Sequence, residues 1–234
     1  MYRPYQQPDR AIDQIHPSLA DKWYIYATTF CMTSEGFSLL KAKVLAELDE
    51  KLDPLLTYHC RQHTEDVLQH TERIAISENI IQPRMLLLMK TAALFHDTGF
   101  VDIYMGHEER SCEIMLSQLK GHDFDDSELT LMTGMIMATK VPQSPKALHE
   151  MVLCDADLDY LGRDDFPVIN KRLKNELLAF GFIKDLNEWN ELQVNFLSKH
   201  RYFTNSSVAL REPVKRSHLL SLKQNFETAK PKPD

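Results

Sequence analysis

The sequence predicts an all-helical bundle. Three observations carry this expectation. Apolar residues recur at helical spacing along most of the chain, and no stretch of useful length alternates with a period of two. Only seven glycines are spread over 234 residues, too few for a barrel or sandwich that needs many tight turns.

Residues 1–30 are polar, proline-containing and weakly periodic, and are expected to form an extended arm or a short irregular helix. Over 37–52, Leu40, Val44, Leu48 and Leu52 recur at helical spacing, and Pro54 marks the stop. A second helix is expected over 58–77, with Val67 and Ile74 on one side. Pro83 suits the first turn of the next, 85–95, which is apolar nearly all round and therefore belongs at the centre of the fold, ending near Gly99. Further helical patterns cover 107–119, 127–138, 147–161, 166–180, 187–200 and 214–226. There is no internal repeat. The expected organisation is an arm at 1–30, one helical domain at 31–227 and a frayed tail at 228–234.

Composition narrows the function classes. Hydrophobic residues make up 43% and charged residues 26%, ordinary for a soluble globular domain with a sizeable core. A net charge of −7 works against non-specific DNA binding, which rewards clustered Lys and Arg, but leaves room for a small anionic substrate held by a local cluster. Cys31, Cys60, Cys112 and Cys154 are widely separated with no CxxC pair, so neither a zinc knuckle nor a disulfide framework is expected, and a reducing, cytoplasmic setting fits best. The first 23 residues contain no uninterrupted apolar run. The greasiest stretch, 85–95, carries Lys90 and is too short to span a bilayer, so no membrane association is expected.

Chemistry gathers in three segments. Tyr58-His59-Cys60-Arg61-Gln62-His63 places two histidines four residues apart, on one face of the expected helix. His63 shares the inward stripe of Val67 and Ile74, while His59 lies one turn nearer the mouth. Phe95-His96-Asp97-Thr98-Gly99 puts a His and an Asp at the end of the apolar helix, where an unpaired carboxylate would cost several kcal/mol and so calls for a cation. Cys154-Asp155-Ala156-Asp157-Leu158-Asp159 sets three carboxylates at alternate positions, about 200° apart on a helix, so at most two face inward. Spacing from Cys154 and Leu161 favours Asp157, with Asp155 as its rival. Asp155 and Asp159 are expected at the surface or behind the ligands. Two imidazoles and two carboxylates make a borderline nitrogen and oxygen site that leaves positions for water.

These segments, YHCRQH, ALFHDTGF, GHEERS and LCDADLDYLG, resemble the HD-domain superfamily of metal-dependent phosphohydrolases. The resemblance covers residues 38–165 by motif and the remainder more loosely. It implies an HD-type helical bundle with a metal site between core helices, and His63, His96, Asp97 and Asp157 as ligands of one divalent ion (Mn, Fe, Co, Ni, Zn or Mg). It implies that His59 is a proton donor to the leaving oxygen and that His107 faces the active site as acid or phosphate contact. Two-metal members carry a further histidine near Met137-Ala138-Thr139-Lys140. Here Thr139 and Lys140 stand in its place, which favours one metal and makes both candidate substrate contacts, with Lys140 a phosphate clamp.

The expected function is hydrolysis of a phosphate ester or phosphoanhydride in a nucleotide or similar small phosphorylated metabolite, by a metal-activated water. The alternative is a regulatory module that binds a nucleotide or partner protein without turnover. A two-iron oxygenase would need extra histidine ligands. A homodimer is compatible with the sequence. His200, Arg201, Tyr202, Arg211 and Lys215 form a late polar cluster, expected to be a solvated face. His16, His70, His122, His149 and His218 have no partner pattern and are expected to be structural or exposed, and Met132, Met135 and Met137 belong to the core.

Overall fold

The computed structural model describes residues 34–229. The expected arm at 1–30, with His16, lies outside the described residues, as do Cys31 and residues 230–234 of the tail. Nine α-helices and two 3-10 turns follow one another among the described residues, with no strand. They are α1 (Ser34–Lys51), α2 (Arg61–Ser77), α3 (Pro83–Phe95), a 3-10 turn (Thr98–Val101), α4 (His107–Gln118), α5 (Asp126–Thr139), α6 (Leu148–Asp157), a second 3-10 turn (Asp159–Gly162), α7 (Phe166–Ala179), α8 (Leu186–Lys199) and α9 (Asn205–Ala229). No helix among the described residues is long and apolar enough to cross a membrane.

The apolar run in α3 goes where its composition sends it. Met89, Ala92, Ala93, Leu94 and Phe95 are all fully buried, and α3 packs against α2 and α5. Its start follows local chemistry, with Pro83 in the first turn after extended Gln82. Val67 and Ile74 of α2, Met132, Met135 and Ile136 of α5, and Val152 and Leu153 of α6 complete this core. A second apolar cluster, Tyr58, Tyr160, Leu161, Phe166 and Leu197, joins the Asp159–Gly162 turn to α7 and α8. Tyr58 and Tyr160 of this cluster flank His63 and Asp157, next to the main core.

Three element boundaries differ from the periodicity, each for a physical reason. α2 begins at Arg61 rather than 58, because the carboxylate of Glu176 on α7 accepts the backbone N–H groups of Tyr58 (2.7 Å) and His59 (3.0 Å) and holds them out of the helix. Helix 147–161 breaks after Asp157. Leu158 leaves helical geometry, and its carbonyl accepts from the Tyr202 hydroxyl at 3.1 Å. α9 starts nine residues earlier than 214 and carries Pro213 in its interior, although proline lacks the N–H that would bond the preceding turn. Contacts on either side of that break hold the helix in place: Arg211 bonds Asp159, and Lys215, 1% exposed, bonds the His200 carbonyl (2.8 Å) and Glu212 (2.7 Å).

The late cluster is accordingly not a solvated face. His200, Tyr202 and Lys215 are buried, and only Arg201 of the five is exposed. Asp155 and Asp159 are likewise not at the surface. Asp155 accepts from the backbone of Phe203 and Thr204 and from the Thr204 hydroxyl, and Asp159 from Arg73 and Arg211. These pairings dock α9 and the loop before it onto the end of α6 and the turn that follows it.

Candidate metal centre

His63 comes from the first turn of α2, His96 caps the C-terminus of α3, Asp97 follows it, and Asp157 is the last residue of α6. One ligand atom from each of His63, His96 and Asp157 lies within 4.8 Å of the others, a grouping that can hold a metal ion between core helices. The two Nε2 atoms of His63 and His96 are 3.3 Å apart. Asp157 Oδ1 stands 3.2 Å from His63 Nε2 and 3.7 Å from His96 Nε2. Asp97 Oδ2 is 3.3 Å and 3.2 Å from the same two nitrogens.

These spacings are those of neighbouring corners on a coordination polyhedron. Donors bound about 2.0–2.2 Å from one ion, at tetrahedral or octahedral angles, stand about 3–3.6 Å apart. Two further features fit a cation. His96 Nδ1–H donates to the Ala93 carbonyl at 2.8 Å, which puts the ring's lone pair on Nε2, facing His63. Asp97 Oδ2 is buried with the His63 and His96 nitrogens as its neighbours, a costly state for a carboxylate oxygen unless positive charge lies beside it.

The charges are tightly coupled. Burial works against a charged His63, but its contacts with Asp157 and Asp97 outweigh this and raise its pKa to about 9. His96 is raised in the same way by the two carboxylates. Burial would lift the Asp157 pKa, yet His63 and His96 hold it down at about 2, and Asp97 is held well below the carboxylate range by His96 and His63. In metal-free protein, protons on the imidazoles thus take the place of a cation.

Outside this group, Phe100 separates two more histidines, its ring stacked on His59 (centroids 4.1 Å apart) and on His107 (3.9 Å). His107 Nδ1–H donates to the Tyr104 carbonyl at 3.0 Å, so Nε2 faces Asp97 Oδ1 at 3.5 Å. His59 Nδ1 pairs with Glu176, which is fully buried and also accepts from the Tyr104 hydroxyl at 2.9 Å. Sequence reasoning passed over Glu176. The available signal was a carboxylate on an apolar stripe, three residues after Leu173 and four before Phe180. His59, Asp97, His107 and Asp157 all line one solvent-open cleft of about 840 Å³.

Thr139 lines the cleft, though its hydroxyl donates to the Ile136 carbonyl at 2.7 Å. Lys140, expected as a phosphate clamp, is half-exposed and pairs with Glu109, outside the cleft lining. Of the remaining histidines, His70 pairs with Asp66 and Asp159, His218 with the Leu161 carbonyl, and His122 is exposed. Cys60, Cys112 and Cys154 are free thiols. In comparisons with known proteins, no family model, no curated protein and no solved structure matches the chain.

Proposed function

We propose that this chain is a metal-dependent phosphohydrolase, cleaving a phosphate ester or phosphoanhydride of a nucleotide or similar small phosphorylated metabolite, with His63, His96, Asp97 and Asp157 as ligands of one divalent cation. The observation that supports it is the grouping of His63, His96 and Asp157 from three chain segments, with Asp97 Oδ2 beside both imidazoles, next to a cleft lined by Asp97, Asp157 and two further histidines. A divalent cation bound there supplies Lewis acidity toward a phosphoryl oxygen and lowers the pKa of water toward neutrality.

The chain's own groups supply the rest. The Ala93 carbonyl fixes the His96 ring with its lone pair inward. Glu176 holds His59 through Nδ1, which leaves Nε2 available to the cleft for passing a proton to the leaving oxygen. His107, anchored by Tyr104 and stacked on Phe100, presents its Nε2 on the Asp97 side and is the second candidate acid or phosphate contact. Thr139, beside the same cleft, is a substrate contact. The cysteine pattern supports a reducing cytoplasmic setting.

The test is phosphate release from a nucleotide panel by purified protein loaded with Mn or Co, with and without chelator, beside His96→Ala. Release is expected only with metal and intact His96, together with about one ion per chain by metal analysis. Activity indifferent to both chelator and His96→Ala would end the proposal.

A further inference from the structure

We infer that the cleft selects a monophosphate ester whose leaving body is heteroaromatic, an inference that rests on reading the metal centre as a phosphohydrolase site. The cleft has two unlike ends. Asp97, Asp157, His59 and His107 make one, and α7 and α8 make the other, an apolar sleeve in which Leu173, Leu177, Trp189, Leu192 and Phe196 face the opening. A phosphate alone, or a phosphorylated sugar, would leave that apolar surface wet. A flat ring system would cover it, at a gain of about 25 cal/mol for each Å² removed from water.

Within the sleeve stands one polar feature. Asn170 Nδ2 donates to Gln193 Oε1 at 2.7 Å, and Gln193 Nε2 donates to Asn190 Oδ1 at 3.2 Å. This relay fixes both amides, with Gln193 itself 5% exposed, and leaves the Asn170 carbonyl oxygen and its second N–H for the cleft. A fixed donor and acceptor pair set in an apolar wall matches the edge of a heteroaromatic ring that carries its own donor and acceptor, and discriminates against plain hydrocarbon.

Charge sets the phosphate number. Among the described residues that line the cleft there is no Lys or Arg, whereas Asp97, Glu108 and Asp157 are present. Lys140 is committed to Glu109, and Lys199 and Arg201 line an adjoining pocket rather than the cleft. One phosphate can be met by the cation and the two histidines. Each further phosphate adds negative charge beside these carboxylates with no cationic side chain to receive it.

The experiment compares AMP, ribose 5-phosphate and ATP as substrates of the Mn-loaded protein. It adds Leu192→Asp, at a position 43% exposed and so safe for folding, and adenosine binding read by Trp189 fluorescence after Trp23→Phe removes the chain's other tryptophan. AMP is expected to exceed both ribose 5-phosphate and ATP by about tenfold or more in kcat/KM. Leu192→Asp should raise the KM for AMP about tenfold and that for ribose 5-phosphate clearly less, and adenosine, which carries no charge, should quench Trp189. Equal use of ribose 5-phosphate, or preference for ATP, overturns the inference. Turnover of AMP with no adenosine quench and no Leu192→Asp effect overturns it while sparing the hydrolase reading. Adenosine quench that Leu192→Asp abolishes, with no phosphate released from any substrate, supports the ring-binding sleeve and removes the hydrolase reading instead.

Discussion

Three aspartates at alternate positions, Asp155, Asp157 and Asp159, separate by partner, and the candidate ligand Asp157 is the least buried of them. Asp155 and Asp159 are both fully buried, yet each is satisfied by groups that arrive about fifty residues later: Phe203 and Thr204 for the first, Arg211 for the second. Asp157 instead faces His63 at 3.2 Å and accepts from Gln143 only at 3.4 Å. Asp155→Ala should therefore cost about 2–4 kcal/mol of stability, by leaving buried donors unpaired, and should spare metal uptake. Asp157→Asn should do the reverse, lowering metal affinity about 100-fold with a smaller change in the metal-free urea midpoint. Urea denaturation set beside metal titration ranks the two, and the opposite ranking would remove Asp157 from the ligand set. Glu176 supports a different expectation. Glu176→Gln keeps the volume but removes the charge opposite His59, so kcat should fall about tenfold with metal content unchanged. A loss of metal content equal to the loss of kcat would show that Glu176 serves the fold instead. Spacing from Cys154 and Leu161 favours Asp157 as a ligand, a choice that needs only its own helix face. The burial of Asp155 and the pairing of Glu176 with His59 depend on which distant segments meet, and no local pattern carries that.

Helix α3 was legible because an apolar run has one place to go, and Pro83 and the His96-Asp97 pair mark its ends in the sequence itself. α9 was not. Pro213 is a local stop signal, and it is overridden by the Arg211 bond to Asp159 and the burial of Lys215 against His200, neither visible in the residues around it. The junction between α3 and α4 shows how tightly such elements are fitted. Gly99 sits in the Thr98–Val101 turn that follows Asp97, its N–H donates to the Ser111 hydroxyl oxygen at 2.8 Å, and a Cβ there would overlap the backbone carbonyl of His107. The collision is with backbone, so no side chain can swing away. Gly99→Ala should push the start of α4 outward, cost about 2–4 kcal/mol and displace His107 from its stack on Phe100. Chemical denaturation measures the first effect and the His107 imidazole NMR shift the second. A variant with wild-type stability and an unmoved His107 signal would show that this junction is loose.

The candidate metal centre joins α2, the end of α3 and the end of α6, which also share the main core, so occupancy of the site would be linked to stability of the whole molecule. Ligand that binds only the folded chain stabilises it by about 2.7 kcal/mol at 100 times its Kd. The direction with pH follows from the imidazoles. In metal-free protein the His63 pKa is raised to about 9 from an ordinary value near 6.5 by Asp157 and Asp97, against the opposing pull of burial. A raised folded-state pKa means that His63 contributes stability fully below pH about 6.5 and loses it as pH rises toward 9. Metal-free protein should accordingly lose stability between pH 6.5 and 9. A bound cation needs the imidazole unprotonated, so it competes with that proton, and its contribution to Tm should grow over the same interval. The two effects have opposite slopes from one cause. Melting curves at pH 6.5, 7.5 and 8.5, with chelator and with excess Mn, should diverge steadily, and His63→Gln should flatten the slope of the chelated series. Parallel curves across that range would mean that the four side chains meet as an ordinary buried ion-pair cluster, and that the cation binds somewhere else or not at all.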